Sequence, residues 1–151
     1  MIDVEVEDPA WTAALPQAQL MALRAAEAAL AQEGAVGKGV TVLLTDDETV
    51  RDLNARFRRH DKPTNVLSFP APANPERFLG DVALAFGVCA REAAEQGKPL
   101  GHHLQHLVAH GVLHLLGYDH ETDIEAEAME GLERLILAGL GVGDPYHGQQ
   151  G

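Results

Sequence analysis

The sequence predicts an α+β fold. Four short segments carry strand patterning without alternating with helices as βα repeats, and the chain closes on consecutive helices. Met1 to Glu7 alternates apolar and polar residues, with Ile2 and Val4 on one face, and reads as a strand. Pro16 to Glu33 is rich in Ala and Leu at helical spacing, with proline at its start and Gly34 as its stop. Lys38 to Thr45, with Val40, Val42, Leu43 and Leu44, reads as a second strand. Thr45 or Asp46 then caps a helix running to about Arg58, with Glu48 in its first turn. Asn65 to Phe69 is a short strand, Pro70 to Pro75 a loop, and Leu79 to Phe86 a fourth strand followed by a helix to Gln96. Leu100 to Leu116 is a strong helix ended by Gly117, and Thr122 to Leu140 is the last helix. This makes four strands with four or five helices. Residues 1–151 suit a single domain, with a loose tail expected after about Gly141 that contains His147.

Composition narrows the setting. No apolar run reaches the roughly 20 residues of a membrane span, and the first residues have neither the basic nor the apolar region of a secretory signal. Cys89 is the only cysteine and lies among apolar neighbours, so it reads as a buried thiol in a reducing compartment. The net charge of −12 argues against a broad nucleic-acid surface. Its distribution is uneven: Arg51 to Lys62 holds five cations and two acids, a net +3, and the remainder carries −15. An anionic ligand would therefore be confined to one side, although any one of these cations could equally be a solvated helix end.

The segment H-G-V-L-H-L-L-G-Y-D-H, from His110 to His120, carries the chemistry. His110 and His114 are i, i+4 on a helix, so their imidazoles emerge on one face about 5–6 Å apart. Gly117 permits the left-handed turn that ends the helix and lets the chain return with His120. Three neutral imidazoles hold a transition metal and leave one tetrahedral position for water, the pattern of a catalytic site. Zn²⁺ is the default, one per chain, although Ni²⁺, Cu²⁺ or Fe²⁺ could also bind. The spacing matches the metzincin proteases, but Gly111 stands where those enzymes carry their glutamate base. His103 and His106 share the helix as supports for the site or as a polar strip under a neighbour. Asp119 and Glu121 could orient an imidazole, accept a proton or be solvated turn acids. Ser68, the only serine, sits in no nucleophile elbow.

With D-K-P-T-N-V-L-S-F-P from Asp61 and L-G-D-V from Leu79, these residues resemble the YbeY family over roughly Asp46 to Leu140. The resemblance implies a small α+β fold with a mixed four-stranded sheet and a zinc site at the end of the central helix. It implies a metal-dependent, single-strand-specific endoribonuclease of the cytoplasm, acting on ribosomal RNA in 3′-end maturation of the small ribosomal subunit and in ribosome quality control. His110, His114 and His120 match the family's metal ligands, and Arg58 matches its functional arginine. The family often has glycine after that arginine where this chain has Arg59, so either Arg58 or Arg59 faces the pocket. A guanidinium beside zinc would suit a phosphate, whose oxygens its planar fork can grip in pairs. The general base stays open between water activated by the ion, Asp119 and a substrate 2′-hydroxyl. Two other readings remain: a non-catalytic ribosome-assembly factor with a structural zinc, and a zinc peptidase, which lacks its base.

Overall fold

The structure, a computed structural model, describes residues 1–58 and 64–146, without the side chain of Arg58. Arg59, Asp61, Lys62 and His147 lie outside the described residues. Four strands form one sheet: β1 (Ile2–Val6), β2 (Gly39–Thr45), β3 (Val66–Pro70) and β4 (Phe78–Ala85). Their order is β1-β2-β4-β3, with β1, β2 and β4 parallel and β3 antiparallel to β4. The sheet is therefore mixed.

Among the described residues six helices accompany it: α1 (Ala10–Ala14), α2 (Ala18–Gln32), α3 (Asp47–Arg58), α4 (Phe86–Gln96), α5 (Leu100–Leu115) and α6 (Asp123–Gly139). The sequence assigns nothing between Glu7 and Pro16, yet α1 forms there. A five-residue helix is too short to show periodicity. It is held by Asp8, whose Oδ1 accepts the Ala10 N–H at 2.9 Å, and by buried Trp11, whose indole N–H donates to the Thr45 carbonyl at 3.0 Å.

The alternation of β1 and the nearly unbroken apolar run of β2 have one cause. β1 is an edge strand and half-buries alternate residues, whereas β2 is central and covered on both faces. Val40, Val42, Leu44, Val82 and Leu84 pack into the main core with α2 and α5. Leu67, Ala83 and Ala85 form a smaller cluster with Val50 of α3 on the other face.

Helix α5 is buried along most of its length, including Leu104, Val108, Gly111, Val112 and Leu113. It lies close against the sheet at Gly111. A Cβ there would stand 2.5 Å from Val82 Cγ1 and 3.2 Å from Ser68 Oγ. Residues 142–146, at the start of the tail, make contacts with the body. Val142 is buried, Pro145 O accepts from Lys98 Nζ at 2.9 Å, and the Tyr146 hydroxyl donates to Glu133 at 2.6 Å.

Candidate metal centre

The C-terminal turn of α5 presents the imidazoles. His110 Nε2 and His114 Nε2 lie 3.1 Å apart. Ligand atoms on one tetrahedral ion with arms of 2.0–2.1 Å are separated by about 3.3 Å, so this pair is already at chelating distance. His120 joins from the loop that follows, and one nitrogen from each of the three rings lies within 4.8 Å of the others.

Local chemistry positions that loop. Gly117 adopts φ +103°, its N–H reaching the His114 carbonyl and the Tyr118 N–H the Leu113 carbonyl, each at 3.0 Å. A side chain rarely tolerates that φ. The Tyr118 hydroxyl donates to Glu33 at the end of α2, anchoring the turn. Asp119 Oδ1 accepts the His120 N–H at 2.8 Å, and Thr122 caps α6 by accepting the Glu125 N–H at 3.1 Å.

Behind the imidazoles is a residue that the sequence reading does not single out. Glu133 of α6 is fully buried. Its Oε1 lies 3.0 Å from His110 Nδ1 and 3.1 Å from His106 Nε2, while Oε2 accepts from Tyr146. Burial pushes this carboxyl upward, but hydrogen bonds from His106 and His110 prevail and hold it at about 2. The ionised carboxylate can only accept, so the His110 proton sits on Nδ1 and the Nε2 lone pair faces His114 and His120. Burial, then the neighbouring rings of His110 and His120, lower the pKa of His114 and favour the neutral imidazole that ligation requires. The donor set and its proton arrangement fit a borderline transition metal such as Zn²⁺. Among the described residues no fourth histidine, cysteine or carboxylate joins the three imidazoles.

The other histidines divide. His106 is tied to His110 through Glu133, whereas buried His103 bonds Glu92 Oε1 at 3.0 Å. Burial lowers the His103 pKa despite that carboxylate. Glu92 Oε1 also accepts from Asn65 Nδ2 at 3.0 Å, which fixes the start of β3. Asp119 and Glu121 line the cavity rather than backing His110. Ser68 donates to the Gly111 carbonyl at 2.9 Å, and Gly111 faces the sheet. Position 111 thus lacks both a side chain and the room for one.

The imidazoles open onto a cavity of about 900 Å³ bordered by Asn54 of α3, Asn65, Ser68 and Pro70. Arg58 is the last residue of α3, at the start of the segment leading to β3.

Fold and site define a class: a small α+β protein that offers a metal three imidazoles, backs one with a buried carboxylate, and leaves one side open to a cavity. The chain belongs to the YbeY family, whose model, described as Endoribonuclease YbeY, matches residues 4–141. It is 53% identical to the Endoribonuclease YbeY of Rhodopseudomonas palustris strain CGA009, over 97% of this chain and 81% of that one. It is equally identical to the Endoribonuclease YbeY of Azorhizobium caulinodans, over 96% of this chain and 95% of that one. The fold is shared with a solution structure from Thermotoga maritima at TM-score 0.59 and 24% identity, covering 93% of this chain and 92% of that one. Among the described residues no helix is long and apolar enough to cross a membrane.

Proposed function

We propose that this chain is a zinc-dependent, single-strand-specific endoribonuclease of the cytoplasm. Its substrate is ribosomal RNA, in 3′-end maturation of the small subunit and in ribosome quality control. The observation that carries the reading is the trio of imidazoles at the wall of an open cavity, three donors rather than four. The family match supports RNA as the substrate.

His110, His114 and His120 would hold the ion. The chemistry such an ion supplies is polarisation of a phosphoryl oxygen and a lowered pKa, towards about 7, for a coordinated water. Glu133 holds the His110 proton away from the cavity, and burial favours the neutral form of His114. Arg58 is assigned to the substrate phosphate, where a guanidinium stabilises charge that builds in the transition state.

The test is cleavage of a small-subunit ribosomal RNA 3′ precursor, with metal content measured on the same protein. Wild type should carry near-stoichiometric metal and cleave; chelation should stop cleavage and Zn²⁺ restore it. His114→Ala should lose both metal and cleavage. Arg58→Ala should keep its metal and melting temperature and lose about 10²-fold or more in cleavage, with Arg58→Lys recovering only part. If Arg59→Ala, and not Arg58→Ala, causes the loss, the assignment moves one residue. Full metal occupancy without cleavage would sink the enzymatic reading in favour of an assembly factor with a structural ion.

A further inference from the structure

Phe57 is the one Phe, Trp or Tyr side chain among the described residues that is mostly exposed, at 64%. Exposing a ring of this size forgoes the stabilisation its burial would bring. Nor is the ring a loose surface group: its centroid lies 5.7 Å from that of Phe69 at an interplanar angle of 69°. Phe69 is flanked on β3 by Ser68 and Pro70, both of which border the metal-facing cavity. Asn54, one turn before Phe57 on α3, borders it too. Because side chains alternate along β3, Ser68 faces α5 while Phe69 faces α3. Phe57 therefore stands at the α3 side of the cavity, across β3 from the imidazoles.

Charge marks the kind of partner. Arg51 and Arg56 share α3 with Phe57, and the cationic stretch of an otherwise acidic chain continues beyond it. The Arg56 guanidinium lies 5.8 Å from the Phe57 ring centre. Its ion pair with Asp52, at 3.5 Å between two largely exposed side chains, is of a kind worth little, so Arg56 can exchange it for a phosphate at small cost. An exposed ring fixed from behind, with arginine beside it and an open cavity across the neighbouring strand, suits single-stranded nucleic acid.

We propose that Phe57 is a stacking platform for a base of single-stranded RNA, with Arg56 beside the adjoining phosphate. The platform holds the strand across β3 so that a neighbouring phosphodiester lies in the imidazole-lined cavity. This rests on the endoribonuclease reading and adds how that substrate is gripped. It gives the site a requirement for an unpaired base with a free face, and little preference as to which base.

The test uses the zinc-loaded full chain and two labelled dodecamers of equal charge: a single-stranded RNA of mixed sequence and an abasic sugar–phosphate strand. Binding is followed by anisotropy in the cold, with gels confirming that the RNA stays intact. Phe57→Ala should bind the RNA about 5- to 150-fold more weakly and the abasic strand as well as wild type does. Phe57→Leu should resemble Phe57→Ala, because apolar area without a π-face does not stack, and Phe57→Trp should bind at least as tightly as wild type. All three should retain metal and melt near wild type.

Equal losses for both strands would overturn the proposal. So would RNA binding that is indifferent to Phe57, an outcome that leaves the endoribonuclease reading intact. A Phe57→Ala variant that converts a dimer to a monomer with unchanged RNA affinity would make the ring a contact between copies and overturn it too. A wild-type protein that binds no RNA would sink the endoribonuclease reading itself, and this inference with it.

Discussion

At the scale of single residues, the buried carboxylate of Glu133 decides how the imidazoles are used. An ionised side chain that accepts from His106, His110 and Tyr146 at once has no proton of its own to give. Glu133→Gln keeps the shape but replaces one acceptor oxygen with a donor. The expected result is a 10- to 100-fold weaker metal affinity, measured by competition with a chelator, while the three imidazoles remain. An affinity equal to wild type would mean that His110 finds its tautomer without help. Glu133 has a sequence signature, seen once the buried face of α6 is known. Met129, Glu133 and Leu137 are spaced by four, so a carboxylate interrupts an apolar stripe. By contrast, the trio itself is legible directly, since i, i+4 spacing and a helix-stopping glycine encode geometry locally. Asn54 and Asn65 border the cavity only because α3 and β3 meet there, which no local pattern reports.

At the scale of elements, two glycines explain sequence patterns that chemistry alone misreads. Gly111 looks like a missing general base. It is also where α5 lies tightly against β4, with Val82 filling the space of a Cβ. Valine is stiff at χ1 and cannot step aside cheaply. Gly111→Ala should therefore lose stability, by about 1–3 kcal/mol from overpacking, despite the better helix propensity of alanine. Urea denaturation measures this, and adding Val82→Ala should return part of the loss because the two sites share one space. Introducing glutamate at position 111 would face the same wall, so it cannot install a peptidase base. Gly80, in the L-G-D-V motif, has φ +142°, and a Cβ there would stand 2.2 Å from the Phe69 carbonyl. The motif thus records how closely β3 and β4 approach. Helix α4 shows a different kind of non-local dependence. Its N-cap is Ala85, which offers no side-chain acceptor, so Asp47 of α3 supplies one, its Oδ1 accepting the Val88 N–H at 3.0 Å.

At the scale of the whole molecule, strand and helix order were readable because each long element carries its own periodicity and stop signals. Sheet order was not, because the antiparallel placement of β3 beside β4 depends on packing across the chain. The same holds for residues 142–146, whose composition reads as tail and whose contacts are with Lys98, α5 and α6. The family match ends at residue 141, yet Tyr146 completes the hydrogen bonds of Glu133. Ending the chain after Gly141 removes a buried valine and a hydrogen bond to a buried carboxylate. A loss of about 3 kcal/mol or more in stability is expected, read by thermal or urea unfolding. Metal affinity should weaken in parallel, because the carboxylate loses one of its three donors. A truncated chain as stable as the full one would show that these contacts merely decorate the surface.

The bonds on Glu133 also impose an order in time. During synthesis, Glu133 leaves the peptidyl-transferase centre 23 residues after His110, and Tyr146 follows 13 residues later. At roughly 5–20 residues per second, His110 precedes its proton-setting partner by about one to five seconds. A nascent chain in that interval carries histidines whose tautomers are unassigned and whose helix has no α6 to lie against. Faithful metal capture therefore waits for α6, and a fragment ending before Glu133 would hold the ligands without the affinity.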